Sequence, residues 1–134
     1  MNTEQLYQEV ILDHYRRPKN FGTVEKANAT FKDSNPSCGD IIEMTFLIDK
    51  QNIIQDIKFT GKGCAISTAS ASMLTQHLKG KPLNTLTSLT KQDLLDMLGV
   101  ELSGIRMKCA LLSLKVAKMA AYNYLGEQPH DDFE

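Results

Sequence analysis

The chain has 134 residues, a length that suits one domain. Hydrophobic residues make up 42% and charged residues 23%, which allows a real core and argues against a disordered chain. The formal net charge of -1 leaves the whole protein no electrostatic match for nucleic acid or an acidic membrane surface, so neither is expected as a partner.

The first predicted element is a helix over residues 3–15. Leu6, Val10, Ile11 and His14 recur at helical spacing, Thr3 can cap its start, and Pro18 follows its end. The opening run Met1-Asn2-Thr3-Glu4-Gln5 lacks the basic start and apolar stretch of a signal peptide. No apolar run approaches the roughly 18 residues that span a bilayer. A cytoplasmic setting with reduced thiols is the resulting expectation.

Phe21-Gly22 opens a loop, and three short strands follow. Residues 27–32 give a weak one. Residues 41–48 give a better one, with Ile42, Met44, Phe46 and Ile48 alternating along it, and residues 53–60 give the third. The turn residues 49–52 predict that the last two strands pair as a hairpin. Gly61-Lys62-Gly63 breaks the pattern, and an Ala- and Ser-rich helix is predicted over residues 65–78, ended by Gly80-Lys81-Pro82. A short helix over residues 90–97 has Thr90 at its cap position and Asp93 three residues on. Gly99 and Gly104 bound a loop, and residues 106–125 read as the last long helix. The polar residues 126–134 are expected to form a flexible tail. No repeat or linker interrupts residues 1–134. The order predicts a single α+β domain: a three-stranded antiparallel sheet with helices packed on one face.

Three cysteines is an odd number, so they cannot form a closed disulfide framework within one chain. Three thiolates do make most of a tetrahedral soft-metal site, with a fourth ligand to come from elsewhere. Unrelated buried cysteines are the plain alternative, and local context weighs against it. Cys38 and Asp40 flank Gly39 in Asn35-Pro36-Ser37-Cys38-Gly39-Asp40, where a turn can aim both side chains at one ion; a simple Asx turn would use the same residues. Cys64 sits where a strand ends, glycines turn and a helix begins. The helix N-terminus, with Lys62 nearby, would lower its pKa; a small residue at a cap position is the alternative. Cys109 is placed in the first turn of the last helix between Arg106, Lys108 and the apolar stripe of Leu112 and Val116. Its expected state is a thiolate favoured by those cations, or else a small buried residue.

At these residues the chain resembles the IscU/SufU/NifU family of iron–sulfur cluster assembly proteins. The resemblance runs from Leu6 through Asp13-His14-Tyr15 and Pro18 to the last helix. Its most specific parts are Asn35-Pro36-Ser37-Cys38-Gly39-Asp40, the run from Gly63-Cys64-Ala65-Ile66-Ser67 to Ser72, and Arg106-Met107-Lys108-Cys109. The resemblance implies a SufE/NifU-like fold and a site of Cys38, Asp40, Cys64 and Cys109 that holds a zinc ion or a nascent [2Fe–2S] cluster. It implies sulfur delivered as persulfide by a pyridoxal-phosphate cysteine desulfurase, and transfer onward to iron–sulfur recipient or carrier proteins. The protein would be a scaffold or sulfur acceptor rather than a small-molecule enzyme.

Two branches of the family compete. The wording after Gly63, and Lys108 where IscU has histidine, resemble SufU, a zinc-dependent sulfur carrier. The 45-residue interval from Cys64 to Cys109 resembles IscU, because SufU proteins carry an extra segment there. The stretch Leu102-Ser103-Gly104-Ile105-Arg106 has no proline where IscU has the Leu-Pro-Pro-Val-Lys segment bound by an Hsp70-type chaperone, which counts against that partner.

Oxygen is the weaker donor among sulfurs, so Asp40 is expected to be the ligand that yields. Cys109 is the expected persulfide acceptor, with Arg106 and Lys108 stabilising the anion and Cys64 second. A zinc hydrolase is the rival from another class, but the deaminase signature is absent and no Cys-x-x-Cys occurs. His14, expected on the surface or partly buried in the first helix, His77 at a helix end and His130 in the tail share no pattern. A structural zinc module is a further alternative, which would unfold when zinc is removed.

Overall fold

A computed structural model describes residues 3–129 and the side chains of residues 5–129. Helix α1 (Thr3–Arg16) is followed by strands β1 (Ala29–Asn35), β2 (Asp40–Ile48) and β3 (Ile54–Lys62). Helices α2 (Ala65–Leu78), α3 (Leu83–Thr87), α4 (Lys91–Leu98) and α5 (Ile105–Leu125) complete the chain. The sheet has the order β1-β2-β3, antiparallel throughout.

The alternation foreseen in β2 is the one that builds the core. Ile42, Met44, Phe46 and Ile48 point to one face, joined by Ile57 and Phe59 of β3, and all are buried against α2 and α5. Each such side chain contributes about 1.5–3 kcal/mol by leaving water. Helix α5 lies on β1 and β2, α2 lies on β3, and α1 packs on α2. On the opposite face Thr45 Oγ1 accepts the Val24 N–H at 2.8 Å, so the segment after α1 covers part of the sheet.

The structure moves two boundaries and adds an element. The first strand spans Ala29–Asn35, later than residues 27–32. Its second half, Lys32-Asp33-Ser34-Asn35, is polar on an edge strand and carries little hydrophobic signal, yet it pairs in register to Asn35↔Asp40. The last strand likewise continues through the glycine at 61 to Lys62, opposite Ile41. Helix α3 was not predicted; five residues are too short for a periodic signal, though Leu83 and Leu86 are buried by it. The expected capping box is present in α4, with Thr90 Oγ1 accepting the Asp93 N–H and Asp93 Oδ2 accepting the Thr90 N–H. Gly126, left-handed at φ 71°, ends α5. Of the expected tail and its His130, residues 130–134 lie outside the described residues, as does the Thr3 capping side chain.

Antiparallel pairing sets the place of the site. The start of β2 lies beside the end of β3, because Ile41 faces Lys62. The β1–β2 turn and the β3–α2 junction therefore meet at one end of the sheet.

Candidate metal centre

Cys38 sits in the four-residue turn between Asn35 and Asp40. Asn35 shapes it twice. Its side-chain Oδ1 accepts the Ser37 N–H at 3.0 Å, and its carbonyl accepts the Gly39 N–H at 2.8 Å. Gly39 has φ 75°, a left-handed conformation open to glycine at little cost. The Asx turn and the metal reading are thus compatible: the turn is what presents Cys38.

Asp40 opens β2 and is 3% exposed. Its Oδ1 accepts the Cys64 N–H at 3.1 Å, and its Oδ2 accepts the Ser67 hydroxyl at 2.6 Å. Burial pushes its carboxyl up, but donation from Ser67, the two thiols of Cys38 and Cys109, and the Cys64 N–H outweighs it, so the net direction is down. Asp40 is held as an anion, the form a metal needs. The oxygen donor expected to yield is therefore anchored by two hydrogen bonds, one from the cap residue of α2 and one from its first turn.

Cys64 is the N-cap residue of α2, extended at ψ 172°, and its own side chain makes no capping bond. It is the exposed thiol of the three, with Sγ 3.7 Å from Asp40 Oδ2. Gly63 makes the approach possible: a Cβ there would stand 2.7 Å from Ser67 Oγ and 3.0 Å from Asp40 Oδ1.

Cys109 is the fifth residue of α5 and is 2% exposed. Its Sγ lies 2.9 Å from Cys38 Sγ. Here the structure corrects an expectation. The thiol is pushed up, not down: burial acts first, and Cys38, Asp40 and Cys64 add to it. By the fifth residue the helix N–H groups are used within the helix, so the N-terminal field that a first-turn cysteine would feel is spent. Arg106 and Lys108 point to solvent, and among the described residues Arg106 makes no ion pair with Asp40.

Donor atoms of Cys38, Asp40 and Cys109 lie within 4.8 Å of one another. Cys64 joins this trio through Asp40. Two thiols, one ionised carboxylate and a third thiol at its side suit a soft or borderline metal, zinc or iron, and a bound cation would reverse the upward push on Cys109 because thiolate is the ligating form. Among the described residues no histidine takes part. His14 is buried on Ser72 (Nδ1 to Oγ 2.7 Å), and burial lowers its pKa; His77 is exposed.

Reading the sequence missed Ser67 and Asn35 as parts of the site. Ser67 carried a signal, a hydroxyl at the third position of a helix that starts on a cysteine. Its partner, 27 residues upstream, did not.

The model of the NifU-like N-terminal domain matches residues 6–131. A Bacillus subtilis protein named zinc-dependent sulfurtransferase SufU is 40% identical over 131 residues, covering 85% of this chain and 88% of its own length. The Aquifex aeolicus iron–sulfur cluster assembly scaffold protein IscU is 37% identical over 123 residues, covering 91% of this chain and 78% of its own. The crystal structure of FiSufU from Fervidobacterium islandicum AW-1 superposes with a TM-score of 0.71 at 29% identity, covering 90% of this chain and 99% of that one. A NifU-like N-terminal protein from Brucella abortus reaches 0.74 over 93% and 98%, at 15% identity, which speaks to the fold alone. With this fold, this turn and this cluster of thiols about a carboxylate, the chain belongs to the family of NifU-like N-terminal domains, together with SufU, IscU and NifU.

Proposed function

We propose that this protein accepts persulfide sulfur from a pyridoxal-phosphate cysteine desulfurase in the cytoplasm. In this reading it assembles or relays a [2Fe–2S] cluster at Cys38, Asp40, Cys64 and Cys109 for iron–sulfur recipient or carrier proteins. The observation that carries the reading is a buried carboxylate among thiols, brought together from a hairpin turn and two helices. A purely structural zinc site closes on four Cys or His ligands. A carboxylate in the set, beside an exposed Cys64, suits a site that exchanges what it holds. The same four residues would hold zinc when no cluster is present; zinc would keep the thiols deprotonated and shielded from oxidation.

In sulfur acceptance, the acceptor thiolate attacks the outer sulfur of the donor persulfide. A new S–S bond forms on this chain, the donor's S–S bond breaks, and the donor cysteine leaves as thiolate. Cys109 is the proposed acceptor, with Arg106 and Lys108 at the surface to receive the partner and stabilise the anion. Its sulfur is buried under Cys38, so acceptance requires the residues 36–39 turn to move aside, and the exposed Cys64 is the competitor.

A second reading is a zinc-dependent sulfur carrier that holds no cluster itself. The identity to the Bacillus subtilis sulfurtransferase and Lys108 before the third cysteine favour it. The alignment lengths support the scaffold reading. Against the sulfurtransferase, 131 aligned positions use only 85% of this chain's 134 residues, so part of that relative faces a gap here. Against the Aquifex scaffold, 123 positions use 91%, with almost no gap.

Anaerobic incubation with a cysteine desulfurase, cysteine and ferrous iron separates the two. A stable cluster chromophore on this chain is the expected result. Faster desulfurase turnover with no chromophore would replace the scaffold by the carrier, and mass spectrometry of the trapped persulfide reads whether Cys109 or Cys64 received the sulfur.

A further inference from the structure

The donor that is weakest by chemistry is the best anchored of the four, and the anchor lies outside the ligand set. Asp40 is held at both oxygens by the first turn of α2: Oδ1 by the Cys64 N–H at 3.1 Å, Oδ2 by the Ser67 hydroxyl at 2.6 Å. Ser67 is fully buried, and its other polar neighbour is the Cys64 sulfur at 3.8 Å. Gly63 leaves the room in which this pair meets. While so held, Asp40 still presents an oxygen within 4.8 Å of the sulfurs of Cys38 and Cys109. Anchoring and presentation occur in one conformation, so they support each other and do not compete.

We infer that Ser67 is a positioning residue for the metal centre: its hydroxyl, in the space Gly63 leaves open, fixes the Asp40 carboxylate toward Cys38 and Cys109, and so sets how fast the site gives up its metal. The inference rests on the reading that Cys38, Asp40, Cys64 and Cys109 hold a metal. The physical ground is general. A ligating carboxylate is oriented by the hydrogen bonds to its remaining lone pairs, and loss of such a partner costs about 10–100-fold in metal affinity. With Ser67 in place both oxygens are held and the carboxylate keeps one orientation toward Cys38 and Cys109. Without it only the Cys64 N–H at Oδ1 remains, and the carboxylate can turn about that bond away from the thiols.

The test uses the zinc-loaded full chain and a chromogenic chelator that reports zinc release. Ser67→Ala should release zinc about 10-fold faster or more. Ser67→Thr, which keeps the hydroxyl, should restore a rate close to the parent's. Gly63→Ala removes no hydrogen-bonding group, yet its Cβ would force Ser67 and Asp40 apart, so it should move release in the same direction. The cobalt(II)-substituted Ser67→Ala protein should show shifted visible d–d bands, the mark of a changed donor geometry; a change in folding stability alone would not produce that. In an Asp40→Ala background, Ser67→Ala should alter zinc release less than about twofold, because a residue that acts through Asp40 has nothing left to act on.

Unchanged release and an unchanged cobalt spectrum in Ser67→Ala would overturn the inference. So would slower release, or an undiminished effect in the Asp40→Ala background. If Ser67→Ala does not fold, Gly63→Ala and Ser67→Thr decide: fast release in the first and parental release in the second support the role, and parental release in the first removes it. A parent chain that binds neither zinc nor cobalt overturns the metal reading itself, and this inference with it. A parent that binds both, beside an unaffected Ser67→Ala, overturns this inference alone.

Discussion

Helices α4 and α2 begin in the same backbone conformation and solve the same problem differently. Each N-cap residue is extended, and each leaves free N–H groups that need an acceptor. Helix α4 caps itself, with Thr90 and Asp93 three residues apart in the chain. Helix α2 begins on Cys64, which offers no cap, and borrows the Asp40 carboxylate from the strand beside it. A self-capped helix start is a local matter. A borrowed cap ties a helix, a strand and a hairpin turn into one unit, and here the lender is also a candidate metal donor. Helix α5 is a third case. It starts after Gly104 with no side-chain cap, and its cysteine lies a full turn inside. The two cysteines that looked alike by context, both near a helix start beside a cation, are consequently unlike: Cys64 is exposed on a cap and Cys109 is buried under Cys38.

The broadest way to break this picture is to ask whether Cys64 and Cys109 serve one site at all. Each of Cys38→Ser, Cys64→Ser and Cys109→Ser should lose more zinc affinity than the roughly 100-fold ceiling of an outer-shell change. Metal analysis after gel filtration reads this directly. Full zinc retention in any two of the three variants would mean that the thiols do not share an ion.

A smaller effect sharpens the contrast between the two helix starts. In the zinc-free protein Cys64 should be alkylated faster than Cys109. Reaction at Cys109 waits on a local opening, and one that costs even one or two kcal/mol slows it by roughly 5–30-fold. Mass-spectrometric kinetics with iodoacetamide at neutral pH would show it. Equal rates would place Cys109 at the surface in solution and remove the need for the turn at residues 36–39 to move before sulfur arrives.

Much of this arrangement was legible in the sequence because it is local. The β2 alternation, the Thr90–Asp93 box, the bounds of α2 and the grouping of the cysteines with turn residues all live within a few neighbours. What was not legible depends on distant partners. Nothing near Cys109 says that Cys38, 71 residues away, will lie on it, so its cations were read as setting its charge when burial does. Nothing near Ser67 names Asp40, 27 residues off, as its partner. The polar end of β1 is a strand only because β2 pairs with it. The candidate ligands could be gathered from motif resemblance, but the residues that hold them needed the register of the sheet.

The last and smallest effects compare the two caps themselves, in zinc-free protein so that metal binding does not mask them. Thr90→Ala removes an exposed, neutral cap and should cost about 1 kcal/mol of folding stability, with zinc uptake unchanged because the lost bond lies within the start of α4. Asp40→Ala removes a buried, charged acceptor and strands two donors, the Cys64 N–H and the Ser67 hydroxyl, inside the protein. Hydrogen bonds to charged groups are worth about 1.5–3 kcal/mol each, and part of that loss is recovered as water reaches the exposed Cys64 end. Asp40→Ala should therefore cost more than Thr90→Ala, by roughly 1 kcal/mol. Urea unfolding followed by far-ultraviolet circular dichroism measures both. The sign of the difference is what matters. If Asp40→Ala is the cheaper change, or raises stability, then Asp40 is a burden in the absence of metal, kept in place by the fold for its chemistry, and the helix does not depend on it. If it is the costlier one, the carboxylate stabilises the empty protein as well, and the site stands assembled before any metal arrives.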